Sequence, residues 1–274
     1  MFEKTKEENV IILFDEQGTP TFRNRETDIF LGIAVLYKIE NESSIFNICK
    51  NELGLVNSKP LKNYKISAQR AQKISEILIQ LNLDILFASM NLCNTELQQV
   101  VTLYEEFGNT LRKYHRNVGE RHLNHILHKE IFDFVIYNIV NNYIDKHPYP
   151  YQIKFSVYLD NWSFPVNDIS IELEESSKKF EQKINEINEQ YFPQALVRFD
   201  NYKLLDVDSP RKRFIDVIAS IISRKFLEKN NPKYFNNVQL DAKITKTDIT
   251  SSTIEDIKMY MDKLSRESLF NYTK

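Results

Sequence analysis

The chain of 274 residues carries a formal charge of −2, with 36 Lys and Arg against 38 Asp and Glu. As a whole it is therefore no basic nucleic-acid binder, and any such site must be a local patch. Hydrophobic residues at 42% and aromatics at 12% supply a sizeable core, while 5 glycines and the absence of GxGxxG and GxxxxGK[ST] remove the main support for dinucleotide and P-loop chemistry.

The length suits one large domain or a domain with an insertion. Two cysteines, Cys49 and Cys93, with no CxxC, cannot close a zinc site without distant histidines, and read as reduced thiols of a cytosolic protein. The charged start MFEKTKEENV lacks the apolar core of a signal peptide. No apolar run approaches the ~20 residues of a membrane span. The expectation is a cytoplasmic protein with no membrane partner.

In chain order, Val10-Ile11-Ile12-Leu13-Phe14 predicts a buried strand that ends abruptly in Asp15-Glu16. Gln17-Gly18-Thr19-Pro20 is turn chemistry. The apolar run Ile29–Tyr37 follows closely enough to pair with the first as an antiparallel hairpin. Residues 38–65 are polar, with a short amphipathic element around 44–55. Ser67 in N-cap position and apolar residues three and four apart predict a helix to Leu81. Asn82-Leu83-Asp84 breaks it, and residues 85–90 form a strand.

Residues 95–145 are the most helical region, read as two long helices separated near Asn117-Val118-Gly119; His147-Pro148-Tyr149-Pro150 stops the second. Ile153–Leu159 alternates strictly and, like the first strand, leads into an acid, Asp160. A loop at 161–165, a polar helix at 168–191 and a short strand at 195–199 follow. Ser209 then Pro210 is an N-cap followed by the first helical position. That helix carries Asp216 between Phe214-Ile215 and Val217-Ile218. The tail from Asn230 is polar, with one weak helix near 253–265.

Three acids share one logic. Asp15 and Asp160 each close a strand, and two parallel neighbouring strands would bring them together at one sheet edge. A helix packed across the sheet would deliver Asp216 to the same point. Taken singly, an Asp at a strand end is also a turn former or a cap, and an Asp among apolar neighbours is costly unless something positive meets it. Clustered carboxylates suit Mg²⁺ or Mn²⁺, and two such ions can activate a water and stabilise the leaving oxygen of a phosphodiester. Glu16 joins the candidate ligands, although on a strand it points to the face opposite Asp15.

The stretch VIILFDEQGTPTF followed by IFLGIAVLY resembles the opening of the domain of unknown function 3800 family, usually a strand, Asp-Glu-Ser-Gly and a Gly-containing second strand. Val157–Asp160, and Asp208-Ser209 with Phe214–Ala219, resemble its second and third acidic blocks. The resemblance covers roughly residues 9–228. It implies a ribonuclease H-like fold and metal-dependent nuclease chemistry at acidic residues. Gln17 stands where the family has Ser, and Arg213-Phe214-Ile215-Asp216 stands for its Gln-Leu-Ala-Asp. Arg213 is thus an alternative neutraliser of Asp216 in place of a metal.

Other signals weigh less. Arg116 through His122 fits the loose Arg-to-His pattern of HEPN ribonucleases, but those are all-helical and this chain opens with strands. His115, His122, His125 and His128 allow a metal site or a polar helix surface. Glu172, Glu174 and Glu175 read as a solvated helix face. Arg211, Lys212 and Arg213 form one basic patch for phosphates, and Arg116 and Arg121, with Arg112 and Lys113, another.

The expectation is an α/β protein with a ribonuclease H-like mixed sheet of about five strands flanked by helices. Residues 1–230 form one domain with a helical insertion at about 95–150, and 231–274 a polar tail. The function expected is a Mg²⁺- or Mn²⁺-dependent phosphodiesterase acting on nucleic acid through Asp15, Asp160 and Asp216. The alternative is a catalytically weak or inactive binding module, in a phage-defence or toxin system. A protein partner or a homodimer would use the insertion or the tail.

Overall fold

The computed structural model describes residues 6–18, 29–53, 68–81, 83–111, 120–146, 151–159, 196–206, 209–227 and 244–271. The strands are β1 (Lys6–Gln17), β2 (Ile29–Lys38), β3 (Asp84–Asn91), β4 (Tyr151–Leu159), β5 (Leu196–Leu204) and β6 (Ile244–Asp248). The helices are α1 (Glu42–Leu53), α2 (Ala68–Gln80), α3 (Thr95–Leu111), α4 (Glu120–Lys146), α5 (Pro210–Leu227) and α6 (Thr250–Asn271).

The protein is α/β, with a mixed sheet flanked by helices. Among the described residues, six strands lie in the order β5-β4-β1-β2-β3-β6. β1 pairs parallel with β4, and β4 parallel with β5. Burial of the two sheet faces explains the two kinds of strand sequence. Val10–Phe14 of β1 are all buried, so both faces are covered and a continuous apolar run is required. In β4, Ile153, Phe155, Val157 and Leu159 are buried while Gln152, Lys154, Ser156 and Tyr158 are half-buried, hence the strict alternation.

The β1–β4 register pairs Leu13 with Tyr158 and Phe14 with Leu159. A register shift between Phe155 and Ser156 leaves one extra residue in β5, and beyond it Tyr158 is level with Lys203.

The chain divides into two compact units. The first comprises residues 1–16, 33–87 and 135–245. In it, α5 buries Phe214, Ile215, Val217, Ile218, Ile221 and Ile222. The Phe214 ring meets Tyr37 and Phe46 edge-on, each at 6.4 Å between centroids. Tyr143 of α4 packs edge-on against Phe155 of β4 at 5.9 Å. Ion pairs Lys38–Glu8 and Lys146–Asp84 close its periphery.

The second unit comprises residues 17–32, 88–134 and 246–274. There α3 packs along α6. Asp248 Oδ1 accepts from the Thr250 backbone N–H at 2.9 Å, starting α6. The Asn91 N–H donates to Thr250 Oγ1 at 2.9 Å, and the Ile249 N–H to the Ser89 carbonyl at 2.9 Å.

The sheet exceeds the five strands expected. The segment read as a polar tail contributes β6 and a helix of 22 residues. Ile244–Asp248 contains one apolar residue, which is what a short edge strand tolerates and what periodicity cannot detect. The polar helix expected at 168–191 lies outside the described residues.

Candidate active site

Asp15 stands near the C-terminal end of β1, one residue beyond Phe14. The strand period puts it on the same sheet face as Leu13, and so on the face of Tyr158, which is level with Leu13. α5 covers this region. Its start is set locally: the Lys212 backbone N–H donates to Ser209 Oγ at 3.1 Å, Arg213 N–H bonds the Ser209 carbonyl at 3.2 Å, and Pro210 occupies the first helical position. Leu205, whose N–H bonds the Leu159 carbonyl at 2.7 Å, ties the approach to α5 to the end of β4.

That fixed start aims Lys212 inward. Its ammonium donates to Asp216 Oδ1 at 2.7 Å, one turn along the helix, and lies 3.7 Å from Asp15 Oδ1. Asp15 is 5% exposed, Lys212 5% and Asp216 8%. Two carboxylates and one ammonium thus share a buried centre. Asp216 receives the positive partner that its apolar neighbours demand, and that partner is Lys212.

Next to it Arg211 is held by bidentate pairing with Glu42 of α1, Nε to Oε1 at 2.7 Å and Nη2 to Oε2 at 3.0 Å. Its guanidinium lies 4.0 Å from the centroid of the Tyr158 ring. Lys203, exposed on β5, approaches the same ring at 5.6 Å. Tyr37 donates its hydroxyl to Glu42 Oε1 at 2.9 Å. Burial, and then the Glu42 carboxylate, push the Tyr37 hydroxyl well above its ordinary range. Burial is the largest single influence on Arg211 and works against its charge, but the hydrogen bond and negative charge of Glu42, with Tyr37 and Tyr158, together outweigh it and hold the guanidinium above its ordinary range.

The structure brings Asp15 and Asp216 to the same ammonium, that of Lys212. Asp160 lies outside the described residues; the residue before it in sequence, Leu159, is level with Phe14. Glu16 is half-buried and follows Asp15 on the strand. Among the described residues no group of three or more His, Cys, Asp or Glu is placed to hold a metal ion. Arg211 and Lys212, read as a phosphate-facing patch, are engaged inside the fold, while Arg213 is half-buried. Arg116 and His115, like Glu172, Glu174 and Glu175, lie outside the described residues, as do the side chains of Arg121, His122 and His125. His128 sits on α4 with its ring edge-on to Phe30 at 5.0 Å.

Sequence reasoning passed over Lys212 as a buried partner, and Glu42, Tyr37 and Tyr158 altogether. The i, i+4 spacing of Lys212 and Asp216 was the available signal. Nothing local links Glu42 to Arg211 across 169 residues. The chain matches no protein-family model and no curated protein.

Proposed function

We propose that this chain is a ribonuclease H-like phosphodiesterase that hydrolyses the backbone of nucleic acid at Asp15, Asp160 and Asp216. The observation that carries the reading is the buried meeting of Asp15 and Asp216 around one positive charge, on a parallel pair of strands whose level residues Phe14 and Leu159 are each followed in sequence by Asp. The sheet order supports it: β1 is central, flanked by parallel β4 and β5 on one side and by β2 and β3 on the other, as the ribonuclease H-like reading requires.

The donor set fits a small divalent cation. Asp15 and Asp216 offer hard carboxylate oxygens that already accommodate a cation, and Asp160 supplies a third carboxylate by sequence. Asp15 with Asp160 would hold Mg²⁺ or Mn²⁺. Such an ion, when bound, activates a water and stabilises the leaving oxygen.

The protein's own groups divide the remaining work. Lys212 keeps the two carboxylates from repelling one another and places a positive charge where an anionic transition state gathers charge. Burial of all three groups excludes water and strengthens each interaction. Lys203, exposed beside Tyr158, is the described cation best placed to meet a phosphate from solvent.

A second reading has its own observation. Lys212 already neutralises the acidic pair, so the same centre serves a binding module that cleaves nothing. The test is a panel of single- and double-stranded DNA and RNA with Mg²⁺ or Mn²⁺. Under the hydrolytic reading wild type cleaves at least one substrate, Asp15→Ala abolishes cleavage, and Glu16→Ala keeps much of it. Wild type inert on every substrate, and unaltered in binding by Asp15→Ala, favours the binding module.

A further inference from the structure

We infer that one face of the β4–β5 strand pair is a track for the phosphate backbone of a single nucleic-acid strand, carried by Arg198 and Lys203. The inference rests on nucleic acid as the partner of the centre around Asp15, and it names the surface that receives that partner.

The sequence of β5 conceals this row. Arg198 and Lys203 are five residues apart, an odd spacing that in a regular strand puts two side chains on opposite faces. The register shift between Phe155 and Ser156 changes that. Arg198 is level with Lys154, and Lys203 with Tyr158. Lys154 and Tyr158, at an even spacing on β4, share its half-buried face. The extra residue in β5 therefore brings both cations to one face. Phe199 goes to the other, where its ring lies 5.6 Å from that of Phe155. Leu13 of β1 is level with Tyr158, and Asp15 stands two residues on, so the row shares its face with Asp15. β1, β4 and β5 run parallel, so the row points toward the end of the sheet at which Asp15 stands. From the level of Arg198 to that of Lys203 is about 13 Å, at about 3.3 Å per residue of β4.

Both cations are exposed, and among the described residues neither takes part in an ion pair. Lys38, Lys129, Lys146, Lys212 and Lys258, by contrast, each rest on a carboxylate that neutralises them locally. Lys203 lies instead 5.6 Å from the centroid of the Tyr158 ring. A ring quadrupole places an ammonium without cancelling its charge. Arg211 lies over the same ring at 4.0 Å and is itself held by Glu42, so the ring that orients Lys203 is pinned from within the fold. Two uncancelled charges in a row, on a chain whose formal charge is −2, suit a polyanion whose charges repeat along a line. Contacts of this kind set the position of a strand and read no bases, so the track accepts strands of any sequence.

The test is fluorescence anisotropy of the full chain with labelled single-stranded DNA and RNA of mixed sequence, across a salt series in metal-free buffer, so that binding is read apart from cleavage. The variants are Arg198→Ala with Lys203→Ala, the charge-keeping pair Arg198→Lys with Lys203→Arg, and Lys263→Ala, which removes an exposed cation of α6. Wild type should bind one or both probes with an affinity that falls as salt rises. In the double alanine variant binding should weaken, and the log–log salt slope should be shallower by about 1.4, at about 0.7 per phosphate contact. The charge-keeping pair and Lys263→Ala should keep the wild-type slope. An unchanged slope in the double alanine variant overturns the inference. So does a slope flattened by about 0.7 in Lys263→Ala, since charge anywhere on the chain would then serve. Wild type that binds neither probe overturns it as well; if that protein still cleaves with Mn²⁺, the hydrolytic reading stands without the track, and if it does not, both fall. Should the double alanine variant melt far below wild type, the two single alanine variants decide, each expected to flatten the slope by about 0.7.

Discussion

Glu130 on α4 offers a sharp test of how the second unit is held together. Burial, and then the hydrogen bond and negative charge of Asp256 on α6, raise its carboxyl from the ordinary 4.5 to about 8; Asp133 adds to this and Lys129 opposes it. Because the folded-state value is raised for an acid, the sign is the reverse of a salt-bridged carboxylate. Between pH 4.5 and 8 the folded protein keeps a proton that the unfolded chain has released, so stability falls as pH rises through that window and levels off above it. At about 1.36 kcal/mol per pH unit, the loss accumulates to roughly 5 kcal/mol at most. Glu130→Gln carries an amide that donates to Asp256 at every pH and has nothing to ionise. Melting curves from pH 4.5 to 9, followed by circular dichroism, should coincide at the acid end and separate as pH rises. By pH 8.5 the variant should melt higher by on the order of 10 °C, at about 2–4 °C per kcal/mol. A difference independent of pH, or a variant that melts lower at pH 8.5, refutes the reasoning.

Three further outcomes follow from the first unit. Ser209→Ala removes the side-chain acceptor for the Lys212 N–H and should cost about 1 kcal/mol in denaturant unfolding; because it loosens the start of α5, cleavage should fall more than stability does. Arg211→Ala leaves Glu42, 20% exposed at its side chain, without the bidentate partner, and should lower stability by about 2 kcal/mol; Glu42→Gln in that background should recover part of it, as a double-mutant cycle would show. Phe214→Ala empties a fully buried site against Tyr37 and Phe46 and should cost about 3–5 kcal/mol by the same measurement.

The legible parts of the fold were those whose sequence answers to one local cause. Val10–Phe14 is apolar at every position because β1 is buried on both faces, and Ser209-Pro210 announces α5 because capping is local chemistry. The strand β3, the helices α3 and α4, and the alternation of β4 follow the same rule. β6 carries no such mark, since an edge strand need bury little, and the length of α6 depends on the Asp248–Thr250 start and its tie to Asn91. At the candidate site the need of Asp216 for a positive partner was readable, but its identity was not. Arg213 stood only as an alternative to a metal, and the run Arg211-Lys212-Arg213 read as a basic patch for phosphates. The partners that draw two of these cations inward, Glu42 and Asp15, lie far away in sequence and meet them only through the packing of α5.

Hydrolysis at this centre requires Asp15 and Asp160 to hold a metal together. A crystal of the full chain soaked in Mn²⁺, with the ion located by its anomalous scattering, answers this directly. A peak at oxygen-bonding distance from both carboxylates is expected. Saturating Mn²⁺ with no peak at Asp15, or a peak bound only by other residues, would contradict it.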